Sequence, residues 1–285
     1  MRERDGPKRG NALRKILITL AILGIASCAA IWLLPVSLPV SENPRFASSA
    51  QLWPHRGSGG RQFPENSPES VTLAVSEGFK GVELDIFYLP DGDKIAVSHD
   101  FHDEASDVLM PPLENFTFPA DLALWLDFKN LGSLSEAEID RFSKSFRRLR
   151  LPNEIFVESK SIEKLRLLDP AQFRRVYWLL PPKQDWWNQT FYLARAKFAA
   201  LFAGMDAVSV SRRHFNLVAP HFRGRSMFVF TVNDPMEVSR FWRSDRVAVI
   251  LTGLERSAVL DQIGTIDRSG DETPATSKRS KGPLD

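Results

Sequence analysis

Cysteine is nearly absent from this sequence, since only Cys28 occurs in 285 residues. A single cysteine excludes an internal disulfide, and no Cys/His spacing typical of a zinc site occurs. An excess of charge is also missing, because 37 Lys and Arg face 35 Asp and Glu. With 43% hydrophobic and 25% charged residues, the composition excludes a disordered or low-complexity chain. The chain is therefore able to bury a sizeable core.

The charge is unevenly distributed along the chain. Residues 1–15 carry six basic and two acidic side chains, a net charge of +4, which leaves the other 270 residues at −2. The slightly acidic remainder has no basic stripe, so nucleic acid is not an expected partner.

Residues 16–34 form one long uncharged run, ILITLAILGIASCAAIWLL. Its 19 residues are enough for a helix to cross the hydrocarbon layer, so we predict a single transmembrane anchor. Basic residues precede this run, and Arg45 is the only basic residue between positions 35 and 50. The positive-inside rule therefore predicts that residues 1–15 are a cytoplasmic leader and that the rest of the chain is extracytoplasmic.

Two alternatives to a retained anchor rest on the residues around Cys28. Ser27-Cys28-Ala29 fits a signal-peptide cleavage site, and the segment 25–28 is similar to a bacterial lipobox. Both would cut inside an apolar run that continues to Leu34. This continuation favours a membrane anchor that is kept.

The sequence after the anchor divides into three regions. Residues 35–50 are rich in Pro and Ser and are predicted to be a stalk. Residues 51–264 are predicted to form the folded domain. Residues 265–285 are rich in Ser, Lys, Gly and Pro and are predicted to be a disordered tail.

Short apolar runs alternate with amphipathic segments across the predicted domain. Eight runs predict strands, at 52–55, 82–89, 122–128, 155–158, 176–180, 207–210, 227–232 and 247–251. Helices are predicted between them at 68–77, 135–148, 162–168, 185–202 and 235–243. An additional strand at 94–99 pairs back through the Asp91-Gly92 turn. This order predicts an α/β fold, a (β/α)8 TIM-type barrel; a doubly wound sheet is the alternative, although no GxGxxG follows the first strand.

Three carboxylates stand at or near the ends of neighbouring predicted strands. Glu83 and Asp85 are two residues apart, so a strand directs both side chains to one face. Asp127 ends the next strand of the predicted barrel. Hard cations prefer oxygen ligands, so we predict that these three acids hold Mg²⁺ or Ca²⁺. Lys129 lies on the same face as Asp127 and is a candidate to balance the cluster or to bind a phosphate oxygen.

Two histidines follow strands at comparable positions. His55 ends the first strand, and His99 ends the additional strand. Imidazoles can act as general base and general acid on opposite sides of a phosphorus atom, and the neighbouring Arg56 suits phosphate recognition. Glu158, at the end of the fourth strand, is a further candidate for substrate binding, with a solvated pair of Glu158 and Lys160 as the alternative.

Five motifs together resemble the glycerophosphodiester phosphodiesterase family. They occur in family order as His55-Arg56-Gly57, Pro64-Glu65-Asn66-Ser67, Glu83-Leu84-Asp85, Asp91-Gly92 and His99-Asp100. Later segments, Leu126-Asp127-Phe128-Lys129 and Phe230-Thr231-Val232-Asn233, are similar too. The resemblance implies a barrel with a divalent metal on Glu83, Asp85 and Asp127, with His55 and His99 as the catalytic pair and Arg56 as a phosphate contact. Glu65 and Asn66 are then expected to support the site from the first loop.

Together with the predicted anchor, the resemblance implies a membrane-anchored phosphodiesterase that acts on a small phosphodiester or a phospholipid head group. The sequence departs from the family pattern at Asp127, Phe230 and Gly253, where the family usually has Glu, Trp and part of an Ile-Thr-Asp run. A non-catalytic barrel that binds a phosphorylated ligand or an envelope partner is therefore the alternative function. Only 27 residues separate His99 from Asp127, which leaves no room for a large inserted subdomain.

Overall fold

The computed structural model describes residues 8–33, 50–57, 62–101, 110–183 and 186–270. Residues 1–7 of the predicted leader, residues 35–49 of the predicted stalk and residues 271–285 of the predicted tail lie outside these residues. Nine strands are present among them: β1 (Gln51–Pro54), β2 (Gly81–Leu89), β3 (Lys94–Val97), β4 (Ala123–Phe128), β5 (Ile155–Ser159), β6 (Arg174–Leu179), β7 (Ala207–Ser211), β8 (Ser226–Phe230) and β9 (Val247–Thr252). Each of the predicted strands is confirmed, with ends that shift by up to two residues.

Eight helices accompany the strands in the described residues. They are α1 (Lys8–Leu33), α2 (Pro68–Ser76), α3 (Glu136–Arg148), α4 (Ile162–Leu165), α5 (Trp186–Phe202), α6 (Phe215–Val218), α7 (Pro235–Trp242) and α8 (Arg256–Gly270). The capping box that opens α3 is confirmed, because Ser135 and Glu138 exchange side-chain and backbone hydrogen bonds. Helix α8 continues to Gly270, so the predicted disordered tail is wrong for residues 265–270. The helical spacing of the apolar residues Val259 and Ile263 continues in the sequence at Ile266.

The strands form one curled sheet in the order β1-β9-β8-β7-β6-β5-β4-β2-β3. Every ladder is parallel except the pairing of β2 with β3, which confirms the predicted hairpin. Strands β1 and β2 meet where the sheet closes: the Gly57 amide donates to the Glu83 carbonyl at 3.1 Å. A Cβ atom on Gly81 would lie 2.1 Å from the Trp53 ring, so only glycine allows this close approach. The domain is thus a barrel of eight parallel strands with one antiparallel addition.

Aromatic side chains fill the inside of the barrel. The rings of Trp125 and Phe228 lie 4.9 Å apart, and the rings of Trp53 and Phe156 lie 5.7 Å apart. These four residues are buried and pack across the barrel between strands that are not neighbours in the sheet. A second and larger buried cluster joins the outer faces of the strands to the helices. This part of the interior is therefore closed by packed side chains.

The turn between β2 and β3 is tied to helix α3 by Asp93. This residue adopts a left-handed conformation with φ of 49°. Its carboxylate accepts hydrogen bonds from the Tyr88 hydroxyl and from Ser145 and Arg148 of α3. Hydrogen bonds from Ser145 and Tyr88 lower the pKa of Asp93 to about 2. The hairpin that leads to His99 is therefore fixed to the helical layer.

Helix α1 covers most of the predicted anchor. The side chains of Ile16, Leu20 and Leu23 are exposed. Among the residues that the structure describes, no helix meets the length and apolarity of a membrane span.

Candidate active site

Three buried carboxylates meet at the carboxyl ends of β2 and β4. Glu83, Asp85 and Asp127 each offer an oxygen atom, and these atoms lie within 4.8 Å of one another. The parallel ladder pairs Asp85 with Asp127, and the two-residue period of β2 brings Glu83 to the same face. The structure thus brings together the three acids that the sequence predicts as metal ligands.

When ionised, the three buried acids repel one another, and a nearby cation offsets this repulsion. Burial raises the pKa of Glu83 well above its ordinary value, and the charges of Asp85 and Asp127 add to this rise. Burial also raises the pKa of Asp127, although Lys129 opposes the rise. Carboxylate oxygens clustered in this way suit Mg²⁺ or Ca²⁺, so the donor set fits a hard divalent cation.

Lys129 supplies one positive charge to this cluster. Its Nζ atom lies 2.5 Å from Asp85 Oδ1 and 2.6 Å from Asp127 Oδ2. Burial alone would lower the pKa of Lys129, but the two carboxylates raise it above its ordinary value. The ammonium group is therefore charged at neutral pH and lies where the sequence predicts it, beside the acids.

The loop after β1 wraps around Glu83 and Asp85. Arg56 has a φ of 53°, and its backbone amide donates to Glu83 Oε2 at 2.8 Å. Its guanidinium pairs through Nε with Asp85 at 2.9 Å and through an Nη atom with Glu65 at 2.7 Å. A Cβ on the next residue, Gly57, would clash with Ser70 Oγ at 2.0 Å. The glycine therefore permits the turn that holds Arg56 against the acids.

Asn66 fixes the position of Asp85 by two hydrogen bonds. Its Nδ2 atom donates to Asp85 Oδ2 at 2.9 Å, and its Oδ1 atom accepts from the Asp85 amide at 3.0 Å. Asn66 itself is buried and has a φ of 58°, which asparagine tolerates better than most residues. The predicted support of the site from the first loop is therefore present in the structure.

Substitution Asn66→Ala is expected to lower metal affinity and turnover by about 10- to 100-fold, because an outer partner that orients a ligand is lost. Calorimetric metal titration and steady-state kinetics measure the two effects. Asn153→Ala is the matched control: its Nδ2 donates to the carbonyls of Pro119 and Leu122 at 2.7 Å each, at the other end of the barrel. We expect the control to lose stability only; equal losses of metal affinity in both variants would contradict the orienting role of Asn66.

His55 follows β1 and lies beside the cluster. Its backbone amide donates to the Thr252 carbonyl at 2.8 Å, which fixes the residue at the end of the barrel. Burial and the adjacent guanidinium of Arg56 lower the pKa of His55 to about 4. The imidazole is therefore neutral at pH 7 and able to accept a proton.

His99 lies just beyond β3 at the same end of the barrel. The preceding amide, of Ser98, donates to the Asp85 carbonyl at 3.0 Å. The His99 Nδ1 atom lies 3.0 Å from Asp100 Oδ1, and 43% of its side chain is exposed. The carboxylate orients the ring and leaves Nε2 for another partner. The backbone of the preceding residue thus ties the start of this loop to β2, and the catalytic role of His99 stays a prediction.

Glu158 is buried inside the barrel, and it pairs with Asp127 across β4 and β5. One of its oxygens accepts from the Trp125 indole at 2.6 Å, and the other accepts from the Ser209 hydroxyl. Burial, together with the charge of Asp127, raises the pKa of Glu158 to about 8. Its predicted contact with substrate stays a prediction. Trp125 and Ser209 were not among the predicted site residues, although the two-residue period of β4 and β7 places both side chains on the inner face.

Comparison with protein families gives a match to part of the chain. Residues 55–122 match the family model described as the glycerophosphoryl diester phosphodiesterase family. No curated protein sequence matches the chain.

Several solved structures share the fold. An Oleispira antarctica phosphodiesterase, solved with the product sn-glycerol-3-phosphate, is 16% identical, with a TM-score of 0.55 over 76% of this chain and 99% of its own. A glycerophosphodiester phosphodiesterase from Parabacteroides distasonis is 15% identical, with a TM-score of 0.57 over 76% and 98%. One from Agrobacterium tumefaciens is 18% identical, with a TM-score of 0.52 over 76% and 99%.

The matched segment contains seven of the residues assembled above, namely His55, Arg56, Glu65, Asn66, Glu83, Asp85 and His99. The barrel fold is shared with these structural neighbours. This chain is therefore similar to the glycerophosphoryl diester phosphodiesterase family over residues 55–122 and shares its barrel fold with the solved phosphodiesterases above.

Proposed function

We propose that this chain is a metal-dependent phosphodiesterase that cleaves glycerophosphodiesters or phospholipid head groups. The observation that carries the proposal is the cluster of three buried carboxylates beside a neutral histidine at one end of the barrel. The Oleispira neighbour binds sn-glycerol-3-phosphate, which supports a glycerol phosphate arm in the substrate.

The residues would divide the chemistry among them. Glu83, Asp85 and Asp127 would hold a divalent cation, which when bound supplies Lewis-acid polarisation of a phosphoryl oxygen. Arg56 and Lys129 carry the positive charges next to the acids and would bind the remaining phosphate oxygens.

His55 and His99 would transfer the protons. One imidazole removes the proton from the attacking oxygen, and the other donates a proton to the oxygen of the departing alcohol. The low pKa of His55 suits the accepting role, since its imidazole is neutral before the reaction. The attacking oxygen belongs either to water or to a hydroxyl of the substrate, in which case a cyclic phosphate forms first.

A panel of glycerophosphodiesters, supplied to the full chain with Mg²⁺ or Ca²⁺, tests the proposed function. We expect release of glycerol phosphate and the free alcohol, and loss of this release when a chelator removes the metal. Mass spectrometry of early time points identifies a cyclic phosphate if a substrate hydroxyl attacks. Absence of release from every member of the panel would contradict the proposal.

We also propose that residues 16–34 anchor the enzyme in a membrane, with the barrel on the extracytoplasmic side. The support is the uncharged run itself, the net charge of +4 that precedes it and the exposed aliphatic side chains of α1. The chain is expected to stay with membranes during alkaline extraction and to keep the mass of residues 1–285. A lighter, soluble product would indicate signal-peptide cleavage, and a lighter product that stays with membranes would indicate cleavage before a lipid-modified Cys28.

A further inference from the structure

A group of side chains on the rim of the barrel is not used by the mechanism above. Lys160 directly follows β5, Trp178 lies in β6 and Phe230 ends β8. The Lys160 Nζ atom lies 3.8 Å from the centroid of the Trp178 ring. The Trp178 ring in turn meets the Phe230 ring edge to face, with centroids 5.4 Å apart. We refer to these three residues as the Lys160 subsite.

Strand register places the Lys160 subsite at the end of the barrel that holds the acids. Ser159 pairs with Tyr177, so the next residues, Lys160 and Trp178, are neighbours across the two strands. Asp127 pairs with Glu158, and Lys160 follows two residues later on the same face.

The same register sets how close the subsite lies to the carboxylate cluster. Lys160 follows Glu158 by two residues, and Glu158 pairs with Asp127 between β4 and β5. The Lys160 subsite therefore adjoins the cluster on the β5 side, whereas Arg56 pairs with Asp85 from the β1 side. If the phosphate of a diester lies between Lys129 and Arg56, one of its two ester groups, here called its arms, would extend toward Lys160.

The subsite offers hydrogen-bond donors without matching acceptors. Lys160 is exposed and forms no ion pair with any described residue; its ammonium lies over an aromatic ring instead. The Trp178 indole N–H is buried and has no acceptor in the described part of the chain. Two donors beside aromatic faces favour a ligand group that carries acceptors and negative charge, and they disfavour a cationic group such as choline.

We propose that Lys160 and Trp178 form a specificity site for the alcohol arm of the phosphodiester and select an arm that carries a carboxylate or a second anionic group. The inference rests on the proposed function, because it assumes that the phosphate binds at the carboxylate cluster. Lys160 acts as a binding residue here and takes no part in proton transfer.

Glycerophosphoserine and glycerophosphoethanolamine are the matched probes, since they differ by one carboxylate. We expect kcat/KM of the wild-type chain to favour the serine diester by up to about fivefold, the upper end of the range for an exposed ion pair. Lys160→Arg should keep this preference, Lys160→Met should abolish it and Lys160→Glu should reverse it, with most of the change in KM. Trp178→Phe, which keeps a ring and removes the N–H, should weaken the preference.

Arg166→Glu is the control for net charge, because Arg166 is exposed and lies beyond α4 in the outer layer. It is expected to keep the wild-type preference. Dissociation constants of the two diesters, measured by calorimetry on His55→Ala protein with and without Lys160→Glu, test the subsite without turnover. Equal dissociation constants for both diesters would overturn the subsite, whereas tight binding of both without hydrolysis by the wild-type chain would contradict the proposed function instead.

Discussion

Replacement of His55 by alanine is expected to lower kcat/KM for a glycerophosphodiester by about 10²- to 10⁴-fold, the usual contribution of a positioned acid or base. The expectation follows from the neutral imidazole at the end of β1, which burial and Arg56 hold at a pKa of about 4. A variant with no imidazole has no group at this position that accepts a proton at pH 7. Steady-state kinetics at saturating metal separate this loss from a loss of metal.

The matched control for His55→Ala is His221→Ala. His221 ends the short helix Ala219–His221, which precedes β8 at the opposite end of the barrel, and it is also partly buried. The control should retain kcat/KM within about twofold, since surface or structural histidines far from the reacting atoms do not enter the rate. Equal activity of His55→Ala and the wild-type chain would remove His55 from the mechanism.

Substitution Glu83→Gln is expected to separate stability from function. Burial and the charges of Asp85 and Asp127 raise the pKa of Glu83, so ionisation of this group destabilises the metal-free fold. For an acid with a raised pKa, folding stability falls as the pH increases above the ordinary value near 4.5. A neutral glutamine can still accept the hydrogen bond from the Arg56 amide and avoids this cost.

Metal-free Glu83→Gln should therefore be at least as stable as the wild-type chain at pH 8, with a weaker dependence of stability on pH. Its turnover should fall by about 10²-fold or more, because losing a ligand costs at least as much as losing the partner that orients one. Thermal unfolding with and without Mg²⁺ or Ca²⁺ should show a metal-induced rise in Tm for the wild-type chain and almost none for the variant.

Glu154→Gln is the control for Glu83→Gln. Glu154 precedes β5 at the far end of the barrel, where it pairs with Arg174 at 3.5 Å. It is expected to keep both the metal-induced rise in Tm and the turnover. If the two variants respond to metal alike, the carboxylate cluster is not the metal site.

Much of the architecture was predictable because its signals are local. The alternation of apolar and polar residues identifies each strand, and the exchange between Ser135 and Glu138 identifies the start of α3. The spacing of Glu83 and Asp85 is equally local, since two residues in a strand share a face. Helix α6 (Phe215–Val218) escaped prediction because four residues carry no helical period.

The finer parts of the site depend on contacts between distant segments. Asn66 bonds Asp85 across 19 positions, and Glu158 meets Ser209 across 51 positions. The Lys160 subsite depends on the register of β5 against β6. No spacing in the sequence reports which residue of one strand lies beside which residue of the next, so these contacts required the structure.

The most direct test of a catalytic metal on the three carboxylates is turnover measured as a function of metal occupancy. The full chain is freed of metal with a chelator and then titrated with Mg²⁺ or Ca²⁺, while hydrolysis of glycerophosphoethanolamine and metal binding are followed together. We expect no turnover before metal is added. Turnover should then rise in proportion to the occupancy of the site formed by Glu83, Asp85 and Asp127. Full turnover of the metal-free chain would contradict this expectation.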